Sequence, residues 1–367
     1  MAVQSNTGER LVGRIPVRNL WLLMLYASEL TRFRAEFNSL VDADSHDLPD
    51  LIARLLAKAA EHRFKRNLTR GYRSREMVLT RVRGRIDFLT TQTRLLLARG
   101  EVFCHFHDLT IDTPRNRLVR SALDLMARLV QSEELAHRCR SLASNLARSG
   151  VGSLKPSRSE LALDQIGRND AADRFMVALA LLAFDLALPT EESGPTALVA
   201  PEREETWVRQ LFEKAVLGFA QVELEPLGWS VHGSVPLHWQ VSSCSGGITV
   251  ILPRMVTDII LDPPNGRRSV IVDTKFSSIL GVRRFGGATL KSHYLYQMYA
   301  YVRSQEGLGA QSDETAGLFL HPAIDTMLYE HAVIQGHSIT FATVNLAGPT
   351  ASVREDLRRI FSSYSYS

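Results

Sequence analysis

Apolar residues in the N-terminal half recur at three- and four-residue intervals. Leu20, Leu23, Met24, Ala27 and Leu30 fall on one face of a helix over 20–30, with Pro16 near its start. A second helix is expected over 48–64. A strongly amphipathic one is expected over 116–130, where Leu118, Val119, Ala122, Leu123, Leu125, Met126 and Leu129 share a side. Polar and apolar residues alternate over 77–88, and 102–109 reads as another strand. Helices flanking a small sheet are therefore predicted for this half. Loops at 149–157 and 189–201, with helix 171–188 between them, place a domain boundary between roughly 160 and 200. Beyond it come helix 204–224, strands near 229–235 and 248–252, and a hairpin of two β-branched runs turned by Asp262-Pro263-Pro264-Asn265-Gly266. Helix 295–305 and strands 316–320, 330–333 and 340–345 complete an α/β plan of helix, mixed sheet and helix. The expected domains are residues 1–165 and 166–367.

A chain of 367 residues exceeds the size at which single cores stop growing, in keeping with two domains. Its 45% hydrophobic and 22% charged residues are those of a globular protein, and 23 Gly with 14 Pro leave no case for a large disordered region. The net charge of +4 conceals a local concentration of base. Nine Lys or Arg residues lie between Arg63 and Arg85, among them Arg70, Arg73, Arg75, Arg81, Arg83 and Arg85, against the single acid Glu76. Such a run suits a polyanionic partner, or it solvates a helix face and turn. Cys104, Cys139 and Cys244 form no CxxC or Cys/His zinc spacing, and a reducing cytoplasm fits them. Residues 1–14 lack the apolar core of a signal peptide, and the longest apolar stretch, 175–188, contains Asp185 and is too short to span a bilayer. A cytoplasmic protein without a membrane partner is expected.

The most informative chemistry lies in the hairpin. Asp258 sits in Met255-Val256-Thr257-Asp258-Ile259-Ile260-Leu261, and Asp273-Thr274-Lys275 follows Arg268-Ser269-Val270-Ile271-Val272. Pairing the two runs brings two carboxylates and an amine to one end of a sheet. Phosphodiester hydrolysis needs such a set: hard oxygen ligands hold Mg²⁺ at ~2.0–2.1 Å and leave positions for water and phosphate. The lysine then orients the water or steadies developing charge. Strand-end carboxylates solvated by a lysine also arise without any metal. Asp258, however, lies in an apolar run where an unpartnered carboxylate is costly.

On helix 204–224 the stripe Trp207, Val208, Leu211, Phe212, Ala215 and Phe219 puts Glu204 and Glu205 beside the core and Glu213 opposite, so Glu205 is the favoured helix acid. First-turn glutamates are also favoured by the helix dipole alone. Gln297, in Tyr296-Gln297-Met298-Tyr299-Ala300-Tyr301, is expected beside Lys275, where its amide would orient water or a phosphate oxygen. His105 and His107 alternate on one strand face without an acid at ligand spacing and read as structural. No GxxxxGK[ST] or GxGxxG occurs, so the chain is expected to bind no nucleotide and to rely on a partner for energy. No GxSxG supports serine hydrolysis.

These residues resemble the McrC family, the nuclease subunit of McrBC modified-cytosine restriction systems and itself a PD-(D/E)XK enzyme. The similarity begins at Ile15-Pro16-Val17-Arg18-Asn19-Leu20 and runs through Arg83-Gly84-Arg85-Ile86-Asp87 and Asp112-Thr113-Pro114-Arg115-Asn116-Arg117. It is densest from Leu252-Pro253-Arg254-Met255 to Asp273-Thr274-Lys275 and Leu295-Tyr296-Gln297, and reaches His321-Pro322-Ala323-Ile324-Asp325-Thr326 and Thr343-Val344-Asn345-Leu346. The resemblance implies a restriction-endonuclease-like C-terminal domain with Asp258, Asp273 and Lys275 catalytic and Mg²⁺ held by the two aspartates. Family members usually carry Asp-Ala-Lys; Thr274 departs from that, and its side chain is expected to point away from the metal. The resemblance further implies cleavage of double-stranded DNA carrying modified cytosine. It implies a partner too, an McrB-like AAA+ GTPase ring that binds GTP, engages the N-terminal half and is stimulated by it. The basic run over 63–85 would then meet either DNA phosphates or the ring. A non-catalytic regulator of the ring is the alternative.

Overall fold

The computed structural model describes residues 11–12, 15–34, 37, 48–66, 68–164, 171–188, 201–264, 268–282, 288–308, 314–323 and 326–365. The chain forms two compact units, residues 1–48 with 188–367, and residues 49–187. This corrects the expected division at 165. Helix α1 (Val17–Tyr26) buries eight of its ten residues, a demand that a single flanking surface does not meet. It packs against helices Pro201–Leu224 and Thr350–Ser365. Asn19 strengthens the join by donating to the Leu346 and Gly348 carbonyls at 2.7 and 2.8 Å. Among the described residues no helix is long and apolar enough to cross a membrane.

The unit 49–187 comprises α2 (Leu48–Lys65), β1 (Gly71–Leu79), β2 (Arg85–Ile86), α3 (Phe88–Thr93), β3 (Val102–Thr110), α4 (Pro114–Leu129), α5 (Glu133–Arg148), α6 (Arg158–Leu163) and α7 (Ala171–Ala187). Its sheet is antiparallel, in the order β1-β3-β2. The alternating run over 77–88 is thus two strands and a turn instead of one element. Gly84 makes the turn at φ +70°, where a Cβ would collide with the His105 carbonyl. Asp87 then caps α3 by accepting from the Thr90 amide at 3.0 Å.

The segment Asp112–Arg117 ties this unit together. Thr113 caps α4 and Pro114 occupies its first turn. Asn116 donates to the Thr69 and Ile111 carbonyls, while Asp112 accepts from both Arg117 Nε and Nη2 at 2.8 Å and from the Gly152 amide at 2.7 Å. Buried Arg115 grips Asp164 in two places, 2.9 and 2.5 Å, and reaches Asp173 Oδ2 at 3.3 Å; Arg63 donates to the same Asp173 oxygen at 2.9 Å. Removing one partner from such a buried set strands the rest. Arg115→Met should therefore lower stability by about 3–5 kcal/mol, seen as an earlier urea midpoint; an unmoved midpoint would show the network to be dispensable.

The other unit adds α8 (Pro201–Leu224), β4 (Ser230–Leu237), α9 (Ile248–Ile251), β5 (Met255–Asp262), β6 (Val270–Thr274), β7 (Leu280–Val282), β8 (Ala288–Leu290), α10 (Ser292–Arg303), β9 (Ala316–Pro322), β10 (Tyr329–Ile334), β11 (His337–Val344) and α11 (Thr350–Ser365). Six strands form one mixed sheet, β10-β11-β9-β6-β5-β4, parallel at β6/β9 and β9/β11 and antiparallel elsewhere. The mixed helix and sheet composition expected from the sequence is what the chain adopts. Residues 248–252, expected as a strand, form the short helix α9. The β4/β5 ladder begins only at the Leu237–Met255 pair, so among the described residues no strand lies opposite 248–251. Met298, Tyr301 and Val302 of α10 cover Ile271, Phe319 and Phe341 on one sheet face. On the other face, Leu217 of α8 rests where Gly233 of β4 has no side chain. Alternation along β4, β5 and β6 assigns these contacts to opposite faces.

Candidate active site

Register sets the two aspartates side by side. β5 and β6 pair Ile259 with Val272 and Ile260 with Ile271, and the next step along that ladder brings Asp258 beside Asp273. Pairing stops there, and the Asp258 carboxylate occupies the opening. Its Oδ2 accepts from the Thr274 amide at 2.7 Å and the Thr274 hydroxyl at 2.8 Å. Thr274, expected to point away from the site, instead ties down the Asp258 carboxylate.

Asp273 is 1% exposed, because every residue of β6 is buried between covered faces. Lys275 Nζ lies 2.5 Å from Asp273 Oδ1, an ion-pair contact. The ammonium is thus the partner of this buried carboxylate, which would be costly to leave alone. Burial pushes the Asp273 carboxyl up to about 6; Lys275 opposes this, and the charges of Asp258 and Glu213 add to it. For Lys275, burial works against the ammonium, yet Asp273 and then Asp258 outweigh it and raise the pKa above the ordinary lysine value. The Lys275 amide is anchored to the Leu320 carbonyl at 3.0 Å.

Among the described acids of α8, Glu213 is the one whose charge acts on this pair. Glu213 is half-buried. Burial and then the Asp258 charge raise its pKa, while Lys275 lies near enough to act against that rise. The side chain of Glu205 lies outside the described residues. The stripe read from Trp207 to Phe219 omitted Val216, Ala220 and Leu224, all buried, which widen the covered arc of α8 until Glu213 lies at its rim. Leu217, one turn on, meets the sheet at Gly233, so Glu213 falls toward the end of β5 that carries Asp258.

Gln297 is tied to the site's surroundings through Tyr301, on whose hydroxyl the charges of Asp273, Lys275 and Asp258 act. Its amide donates to the Tyr301 hydroxyl at 2.7 Å, and that hydroxyl donates to the Val256 carbonyl at 2.9 Å, bracing the start of β5. His105 lies between Glu76 at 3.1 Å and Asp87 at 3.5 Å within the small sheet of the other unit, as a structural side chain does.

The donor set fits a hard divalent cation. Asp258 and Asp273 would be its oxygen ligands, side by side on adjacent strands, with the Lys275 ammonium against Asp273 Oδ1. Among the described residues no three His, Cys, Asp or Glu side chains converge on one metal position. Two carboxylates with room for water and substrate oxygen are what Mg²⁺ requires, whereas a closed structural zinc site needs four protein ligands.

A family model described as the McrBC 5-methylcytosine restriction system component matches residues 3–184. The chain belongs to this family. The Escherichia coli (strain K12) protein described as the type IV methyl-directed restriction enzyme EcoKMcrBC is 27% identical over 352 residues, covering 95% of this chain and 98% of the relative. That span takes in Asp258, Asp273 and Lys275, and agrees with the end-to-end McrC resemblance in the sequence. Two solved assemblies are more loosely similar. The refined half-complex of Thermococcus gammatolerans McrB AAA+ hexamers with bound McrC matches with TM-score 0.40 and 14% identity, over 85% of this chain and 68% of that one. The cryo-EM structure of the Thermococcus gammatolerans McrBC complex matches with TM-score 0.32 and 16% identity, over 48% and 57%.

In this McrBC-family chain the basic run forms no single patch. Arg63 is taken into the buried network, while Arg73 pairs with Asp112 at 3.3 Å, and Arg75 and Arg83 with Asp108 at 3.6 and 2.8 Å. Arg70, Arg81 and Arg85 are exposed. Strand β1 is exposed over seven of its nine residues. Tyr72, Val82, Phe88, Leu89, Leu95 and Leu97, each more than 60% exposed, surround these arginines with apolar surface.

Proposed function

We propose that this chain is the endonuclease subunit of a modification-dependent restriction system, hydrolysing double-stranded DNA with Mg²⁺ and acting with an McrB-like AAA+ GTPase. The observation that carries the nuclease reading is the register-fixed pair Asp258 and Asp273, with Asp273 buried and touching Lys275. A PD-(D/E)XK site has this composition by the resemblance above. When bound by Asp258 and Asp273, the cation would lower the pKa of water and offset charge on the phosphoryl oxygens. Thr274 holds Asp258 in one rotamer, so that ligand is pre-organised. Lys275, kept charged by its carboxylate neighbours, offers its ammonium to the attacking water or the developing negative charge. Glu213 adds a third carboxylate from α8 and can receive a proton from water, a role favoured by its raised pKa.

The unit 49–187 supplies the partner surface in this proposal. A basic strand exposed on both faces and rimmed by large apolar residues suits a protein partner, because isolated sheets leave such surface uncovered only where something docks. The test is cleavage of a modified-cytosine plasmid by the chain with its GTPase partner and GTP. Cutting is expected in Mg²⁺ and absent in EDTA, with restoration on adding Mg²⁺ back. Equal cutting in EDTA would remove the metal from the reaction.

A further inference from the structure

A second lysine lies beside the candidate site. Lys291 immediately precedes α10, half-buried, and its Nζ approaches Ser277 Oγ at 3.5 Å. It stands 5.4 Å from the centre of the Tyr294 ring, and Lys275 Nζ stands 5.8 Å from the centre of that same ring. Lys275 is committed to Asp273. Among the described residues no carboxylate pairs with Lys291.

Its surroundings are held in place. Tyr294 donates or accepts at Ser277 Oγ over 2.9 Å, and the ring packs on His321 with centroids 5.6 Å apart. His321 in turn donates from Nδ1 to the Ser277 carbonyl at 2.8 Å, and is uncharged at neutral pH because burial, with the two lysines nearby, draws its pKa down to about 4. The site is therefore bipolar: Asp258, Asp273 and Glu213 on one side, and two ammonium groups sharing one aromatic ring on the other. A partly desolvated ammonium without a carboxylate calls for an anion, and a lysine beside a ring is a compact point charge suited to phosphate.

We propose that Lys291 binds a DNA backbone phosphate one or two nucleotides from the bond that is cut, setting the strand against Asp258, Asp273 and Lys275. This rests on the nuclease reading, and the experiment separates the two. Single-turnover cleavage of a duplex carrying modified cytosine is followed over a KCl series, with the full chain, its GTPase partner, GTP and Mg²⁺, for wild type, Lys291→Met, Lys291→Arg and Asp273→Ala.

Lys291→Met is expected to cut roughly tenfold more slowly. Its dependence on log salt should be shallower by about one phosphate contact, and Lys291→Arg should restore most of both. Wild-type cutting by Lys291→Met would overturn the assignment. So would slower cutting with an unchanged salt slope, the mark of a packing defect. Asp273→Ala cutting like wild type would overturn the nuclease reading itself, whatever Lys291 does.

Discussion

Lys275→Met should slow DNA cleavage by roughly 10²- to 10³-fold, the loss typical when one pre-positioned donor to developing charge is removed. Methionine retains most of the aliphatic stem, so packing changes little while the ammonium is lost. The substitution removes the cation touching Asp273 Oδ1, and among the described residues no other ion pair to that buried carboxylate remains. The variant should therefore also melt earlier than wild type in EDTA, with part of that deficit recovered on adding Mg²⁺. Single-turnover cleavage and thermal melts with and without Mg²⁺ check both halves. Cutting within tenfold of wild type would remove Lys275 from the chemistry.

Reversing Arg73 and Arg75 to Glu should abolish stimulation of the partner's GTPase. Both side chains are about half exposed, and their pairs with Asp112 and Asp108 are surface ion pairs, worth about 0–1 kcal/mol each. Two charge reversals at a docked surface, by contrast, set like charges together and suppress association. Arg73→Ala with Arg75→Ala serves as the control, since it breaks the same pairs without introducing repulsion. GTP turnover against concentration of this chain reads the effect: a flat response is expected for the Glu pair and a right-shifted one for the Ala pair. Full stimulation by the Glu pair would move the docking surface elsewhere and leave the basic strand free for DNA.

The hairpin and its acids were legible because they follow from local rules. β-branched runs and a Pro-Asn-Gly turn specify two adjacent strands, and register then places Asp258 beside Asp273 without long-range information. Helices α2, α4, α7, α8 and α10 were legible from apolar period for the same reason. The failures share a tertiary origin. Glu213 was misplaced because the buried arc of α8 depends on how many surfaces the helix meets, and Val216, Ala220 and Leu224 turn inward only in the assembled unit. The link from Gln297 through the Tyr301 hydroxyl to the start of β5 likewise needs α10 in its place on the sheet.

Residues 248–251 have strand composition but, among the described residues, no opposing strand, and propensity yields to that absence. Helix α1 carries its own boundary signals, yet nothing local reveals that it packs with helices of the distant C-terminal part. The segment Asp112–Arg117, visible only as a motif, proves to be a set of caps and buried ion pairs. Its purpose needed the positions of Asp164 and Asp173. Lys291 carried no sequence signal: Tyr294 lies only three residues on, but the fold is needed to bring that ring to Lys275.

The most direct test is Asp273→Ala in the complete system: modified-cytosine plasmid, Mg²⁺, GTP and the cognate GTPase, with DNA cutting and GTP turnover followed in the same tubes. The expected result is loss of cutting with GTPase stimulation unchanged, because Asp273 and the basic strand β1 belong to separate compact units. Equal cutting by variant and wild type would contradict the metal-site assignment. Stimulation by both with cutting by neither would make the chain a regulator of the ring that does not use its nuclease site.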